Sequence, residues 1–152
     1  MSIDIKEQYD KIYRFCYYKV GNHVIAEDLT QETFLKYFAQ TSYLEHGKKL
    51  AYLYTIARNL CIDHYRRRRE ETLSEEAPDA DHFGQVELSI ALRQALKILP
   101  VAEQELLLFR YANELSVREI SSIMGISRFT VYRKMNSAVG TLKKILREED
   151  FL

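Results

Sequence analysis

The chain has 152 residues, 47% of them apolar, and its 22 basic and 22 acidic side chains balance to a net charge of zero. That apolar share excludes a disordered chain, the length allows one ordinary domain or two small ones, and no apolar run is long enough to cross a membrane. The first residues lack the basic start and apolar stretch of a signal peptide, and two cysteines, Cys16 and Cys61, are too few for a disulfide framework, so a reduced, cytoplasmic protein is expected.

Apolar positions recur at helical rather than strand spacing, and only 5 Gly and 2 Pro interrupt them, which predicts an all-α fold. The first helix spans about residues 5–20 and stops at Gly21-Asn22, a natural C-terminal signal. The second spans about 24–40, with Ile25, Leu29, Thr33 and Tyr37 on one face. On the other face Asp28, Gln31, Glu32 and Leu35 fall at i, i+3, i+4 and i+7, an acidic stripe with an apolar patch beside Glu27 and Phe38. Acidic side chains repel a phosphate backbone, so this stripe meets either a basic protein surface or water, and the residues alone leave both open.

After a loop at 41–49 containing Gly47, a third helix starts near Leu50 and runs into Arg66-Arg67-Arg68-Arg69. Leu53, Ile56, Ala57, Leu60 and His64 lie on its core side, and Tyr52, Thr55, Arg58, Asn59, Ile62, Tyr65 and Arg66 on the other. Nine of the 11 tyrosines precede residue 70, several beside basic residues. Aromatic faces interleaved with cations suit single-stranded nucleic acid, where one stacked base contributes ~1–3 kcal/mol. Any single tyrosine reads more simply as filling the core edge, and the arginine run also favours a helix C-terminus through the macrodipole.

Residues 70–85 hold six carboxylates and few apolar side chains, a composition that cannot bury a core and reads as a flexible acidic linker. Four helices follow, at about 86–98, 101–111, 117–124 and 128–147. The expected architecture is two small helical domains, residues 1–69 and 86–152, joined by that linker, the second a four-helix domain.

Ser116-Val117-Arg118-Glu119 fits a capping box, Gly125 suits the left-handed end of a short helix, and Ser127 is a good cap for the last one. Short helix, glycine turn and longer helix make the spacing of a DNA-binding helix-turn-helix. Val131, Met135, Ala138, Leu142 and Ile145 form the inward stripe of the last helix. Its outward face carries Arg128, Phe129, Tyr132, Arg133, Asn136 and Lys143, and the residues near its start are those that reach base edges.

The zero net charge conceals a segregation. Residues 1–69 carry 12 basic and 8 acidic side chains (+4), residues 70–87 carry 0 and 7 (−7), and residues 88–152 carry 10 and 7 (+3). No phosphate-binding glycine loop, nucleophile elbow or pair of catalytic carboxylates is present, so no enzyme is indicated. Cys61 and His64 stand at i and i+3, but no second Cys/His pair completes a metal site, and no cofactor is implied.

The segments AEDLTQETFLKYF, AYLYTIARNLCIDHYRRRR, LPVAEQELLLFRY and LSVREISSIMGISRFTVYRKMNSAVGTL resemble, in order and spacing, the ECF (extracytoplasmic function) sigma factors of bacteria. The resemblance implies core RNA polymerase and promoter DNA as partners, with an anti-sigma protein as a further one. It matches Asp28, Gln31, Glu32 and Leu35 to the region that docks on the polymerase clamp. It matches Tyr52, Arg58, Asn59, Asp63, Arg66 and Arg67 to the part that recognises and melts the −10 element, where a flipped base would enter a pocket. Arg128, Phe129, Tyr132, Arg133 and Asn136 correspond to the −35 reader. The family commonly has a small residue where Phe129 stands and a Ser-Arg pair where Arg133-Lys134 stand, so the −35 sequence does not carry over. The competing function is a non-sigma helix-turn-helix regulator whose N-terminal domain dimerises or senses a ligand.

Overall fold

Helix α1 (Ile5–Val20) begins where a carboxylate can cap it: Asp4 accepts a hydrogen bond from the Glu7 N–H at 3.2 Å. It ends at Gly21, whose φ of 68° is the left-handed region that a residue without Cβ enters freely. Asn22 then caps α2 (His23–Gln40) through its side-chain oxygen, which accepts from the Ile25 N–H at 3.1 Å. The computed structural model describes residues 4–40, 49–71 and 90–148. The remaining described elements are α3 (Lys49–Glu71), α4 (Ile90–Ile98), α5 (Val101–Leu107), a π-helical turn (Leu108–Ala112), α6 (Val117–Met124) and α7 (Arg128–Glu148), with no strand among the described residues.

The chain divides into two compact units, Met1–Gln85 and Val86–Leu152. Helix α3 takes in Glu70 and Glu71, so the helix runs two residues into the segment expected as linker. The rest of that segment, 72–85, and most of the 41–49 loop lie outside the described residues.

In the first unit α1, α2 and α3 all pack on one another. The core takes Ile12, Phe15 and Cys16 from α1, Leu29, Phe34 and Tyr37 from α2, and Leu53, Tyr54, Ala57 and Leu60 from α3. Because two helices cover α3, its buried arc is wider than a single amphipathic stripe and reaches Tyr54 and Cys61. Thr30 and Thr33 are also fully buried, and their hydroxyls donate to the Ala26 and Leu29 carbonyls at 2.7 and 2.6 Å. Those bonds within α2 make a polar side chain tolerable in an apolar interior.

In the second unit α7 packs against α4, α5 and α6. Residues Glu105 to Phe109 are all buried, and one face of an ordinary α-helix cannot bury five in succession. The chain widens instead into the π turn, closed by the Asn113 N–H donating to the Leu108 carbonyl at 3.0 Å. The helix expected over 101–111 is therefore α-helical only to Leu107. Burying side chains such as Leu106, Phe109 and Ile120 stabilises the unit by about 1.5–3 kcal/mol each.

The local signals around α6 and α7 form as expected. The Ser116 Oγ accepts from the Glu119 N–H at 3.1 Å, and the Glu119 carboxylate accepts from the Ser116 N–H at 2.8 Å. Gly125 ends α6 at φ 68°, and the Ser127 Oγ caps α7 by accepting from the Thr130 N–H at 3.1 Å. Among the described residues no helix is long and apolar enough to cross a membrane.

Candidate polymerase and nucleic-acid interfaces

Three exposed helix faces carry the candidate residues. On α2, Asp28, Gln31, Glu32 and Leu35 are all exposed, brought onto one side by their spacing. Glu32 lies 3.9 Å from Lys36, an exposed pair that contributes little and leaves the carboxylate available. Apolar surface flanks the acids: Leu35 is 72% exposed, Phe38 56% and Val24 69%. Val24 was not among the candidates, because at the first turn of a helix it lacks a preceding partner in the apolar repeat. Beneath this face Phe34 stacks on Tyr9 with ring centroids 5.3 Å apart, so the helix is held against α1 by rings rather than by its charges.

On α3, positions 52, 59, 63 and 66 fall within a narrow arc at ~100° per residue, and Arg67 lies beside them. Asn59, Asp63, Arg66 and Arg67 are exposed. Tyr52 is half-buried: its hydroxyl donates to the Gln40 side-chain oxygen, and its ring lies 6.3 Å from that of Tyr37. Tyr52 thus ties α3 to the end of α2. Arg58 is also half-buried and belongs to a second strip, shared at i, i+4 and i+7 with exposed Ile62 and Tyr65. The structure therefore separates Arg58 from the other α3 candidates and adds Ile62 and Tyr65 to its own neighbourhood.

Cys61 is buried, and His64 is half-buried just inside this basic surface. Burial holds the His64 imidazole below its ordinary value, and the Arg68 and Arg67 charges push the same way against a smaller opposing effect of Glu71. Its buried Nε2 has no hydrogen-bond partner among the described residues. The neutral ring is therefore the form this site favours.

On α7, Arg128, Phe129, Tyr132, Arg133 and Asn136 are all exposed, the Phe129 ring at 75% and Tyr132 at 53%. Val131 and Ala138 are fully buried on the opposite side, while Met135, Leu142 and Ile145 are half-buried. The glycine turn and the Ser127 cap fix where α7 starts, and hence which five side chains point away from the unit.

Residues 5–71 match Sigma-70 region 2, and residues 89–142 match Sigma-70 region 4. The ECF RNA polymerase sigma factor BldN of Streptomyces coelicolor is 35% identical over 94% of this chain, which spans 59% of BldN. The ECF sigma factor SigM of Bacillus subtilis is 33% identical over 84% of this chain and 84% of its own length. SigW of the same organism is 29% identical over 95% of this chain and 88% of its own. Among solved structures, the sigma factor RpoE of Bartonella quintana, crystallised with the anti-sigma factor NepR, has the same fold: TM-score 0.70 at 24% identity, covering 95% of this chain and 94% of that one.

Proposed function

The chain belongs to the ECF sigma factors of the sigma-70 family and directs promoter-specific transcription, and we propose that its three exposed faces divide that work. The α2 stripe of Asp28, Gln31, Glu32 and Leu35 docks on core RNA polymerase. The α3 strip of Asn59, Asp63, Arg66 and Arg67, with Tyr52 and Arg58 at its margins, recognises and opens the −10 element. The α7 face of Arg128, Phe129, Tyr132, Arg133 and Asn136 reads the −35 element. The first working domain extends to Glu71, the end of α3, the second covers 86–152, and the acidic sequence between them joins the two.

The observation that carries this division is the separation of charge within one three-helix unit. Acids with an apolar flank are exposed on α2, whereas α3 exposes an unbroken run from Arg66 to Arg69. An acidic, partly apolar face suits a protein partner, and a basic one suits phosphate. A free helix-turn-helix regulator that dimerises through α2 would set like charges against each other.

Sigma factors are initiation factors, and we read this chain as performing no bond chemistry itself, needing no cofactor and working in the cytoplasm. An anti-sigma protein, of the kind seen with RpoE of Bartonella quintana, is a further partner for the faces that polymerase and promoter otherwise cover. The test is Asp28→Lys in the full chain, mixed with purified core polymerase. The expected result is loss of the holoenzyme complex with the helical signal intact. Unimpaired assembly with core polymerase overturns the docking role of α2.

A further inference from the structure

The outward face of α7 has one member that cannot form a hydrogen bond, and it occupies the middle of the face. At ~100° per residue the five candidates spread over an arc of about 140°, with Arg128 and Tyr132 on one flank and Arg133 on the other. Phe129 and Asn136 share the centre line, i and i+7, with Phe129 in the first turn of α7. Residues in the first turns of a recognition helix are the ones that approach base edges, and Phe129, 75% exposed, stands among them.

A bare ring pressed on a base edge is costly wherever it covers a donor or acceptor, because that group loses water and gains no partner. In the major groove, guanine presents two acceptors, adenine an acceptor and a donor, and cytosine a donor; thymine alone adds a methyl group. The flanking cations Arg128 and Arg133 indicate a polyanion as the occupant of this face rather than an apolar protein surface. Resting on the promoter-reading role proposed above, we propose that Phe129 is a specificity-determining residue that packs on the C5 methyl of a thymine in the −35 element.

The experiment uses holoenzyme reconstituted from the full chain and core RNA polymerase. Duplexes with a randomised upstream segment are selected for binding, and the selected sequence is remade with each thymine in turn replaced by deoxyuridine, which removes only the methyl. One replacement is expected to weaken binding about fourfold, the worth of one methyl-sized group withdrawn from water. In Phe129→Ala the same replacement is expected to have no effect, and in Phe129→Leu to keep part of it. Both substitutions are at an exposed position, so the fold is retained.

Selection of a −35 element without thymine overturns the proposal, as does an equal deoxyuridine penalty in wild type and Phe129→Ala. Unchanged DNA readout in Phe129→Ala together with weaker assembly on core polymerase assigns the ring to protein and also overturns it. A selection that enriches no upstream motif refutes the promoter-reading role itself.

Discussion

The phenol of Tyr54 donates a hydrogen bond to the side-chain oxygen of Gln8 at 2.9 Å, joining α3 to α1 across 46 positions of sequence. Tyr54 is fully buried and Gln8 8% exposed, so the Gln8 oxygen takes its hydrogen bond from the phenol rather than from water. Removing the hydroxyl leaves the Gln8 oxygen buried and unsatisfied. Tyr54→Phe is therefore expected to destabilise the first unit by about 1–3 kcal/mol, measured by urea denaturation. A double change, Tyr54→Phe with Gln8→Leu, is expected to recover part of the loss, since no orphaned oxygen remains.

Gly125 offers a cleaner test of backbone conformation. A Cβ added there meets nothing within 4 Å, so the cost of Gly125→Ala comes from φ 68° alone. The left-handed region costs an ordinary L-residue roughly 1–2 kcal/mol, and asparagine less. Thermal unfolding of the second unit is expected to rank Gly above Asn above Ala at this position. Equal midpoints for all three would show that the turn relaxes to another conformation.

The basic end of α3 predicts a salt effect. If Arg66 and Arg67 each neutralise a phosphate of opened promoter DNA, replacing both by alanine removes two counterion-release contributions. The slope of log affinity against log salt then falls by about 1.4, near 0.7 for each single-strand contact. Holoenzyme binding to forked promoter DNA across a range of potassium chloride measures it. An unchanged slope places both side chains in solvent.

His64 makes stability depend on pH. Its folded-state affinity for protons is lowered by burial and by Arg68 and Arg67, so below the ordinary histidine range the unfolded chain binds the proton more readily. Stability is complete while the ring is neutral in both states, and it falls as pH drops from about 6.5 toward the lower folded value. Denaturation midpoints between pH 7.5 and pH 5 are expected to fall more steeply for the wild-type chain than for His64→Gln. Parallel profiles would remove His64 as the cause.

What could be read in the residues beforehand was mostly local. Gly21, Ser116 with Glu119, Gly125 and Ser127 act within four residues of where they stand, and each forms the cap its chemistry favours. The exposed faces of α2 and α7 followed from helical periodicity alone. The burial that periodicity does not set depends on a second or third element. Tyr52 is drawn inward by Gln40 of another helix, and Tyr54 is buried because α1 and α2 both cover α3. The π turn after Leu107 reflects an apolar run that must be buried all at once, which no capping residue announces.

The charge separation of the first unit also bears on how fast its partners are found. Electrostatic steering acts over roughly 8–10 Å at physiological salt, before any side chain touches. On the roles proposed for α2 and α3, polymerase and DNA address different surfaces of the unit. An encounter that brings α2 toward the duplex is repelled and short-lived, and one that brings it toward a basic protein groove persists. If α2 docks on polymerase as proposed, the orientation of the complex is selected during approach, and raising the salt is expected to slow association with polymerase more than it hastens dissociation.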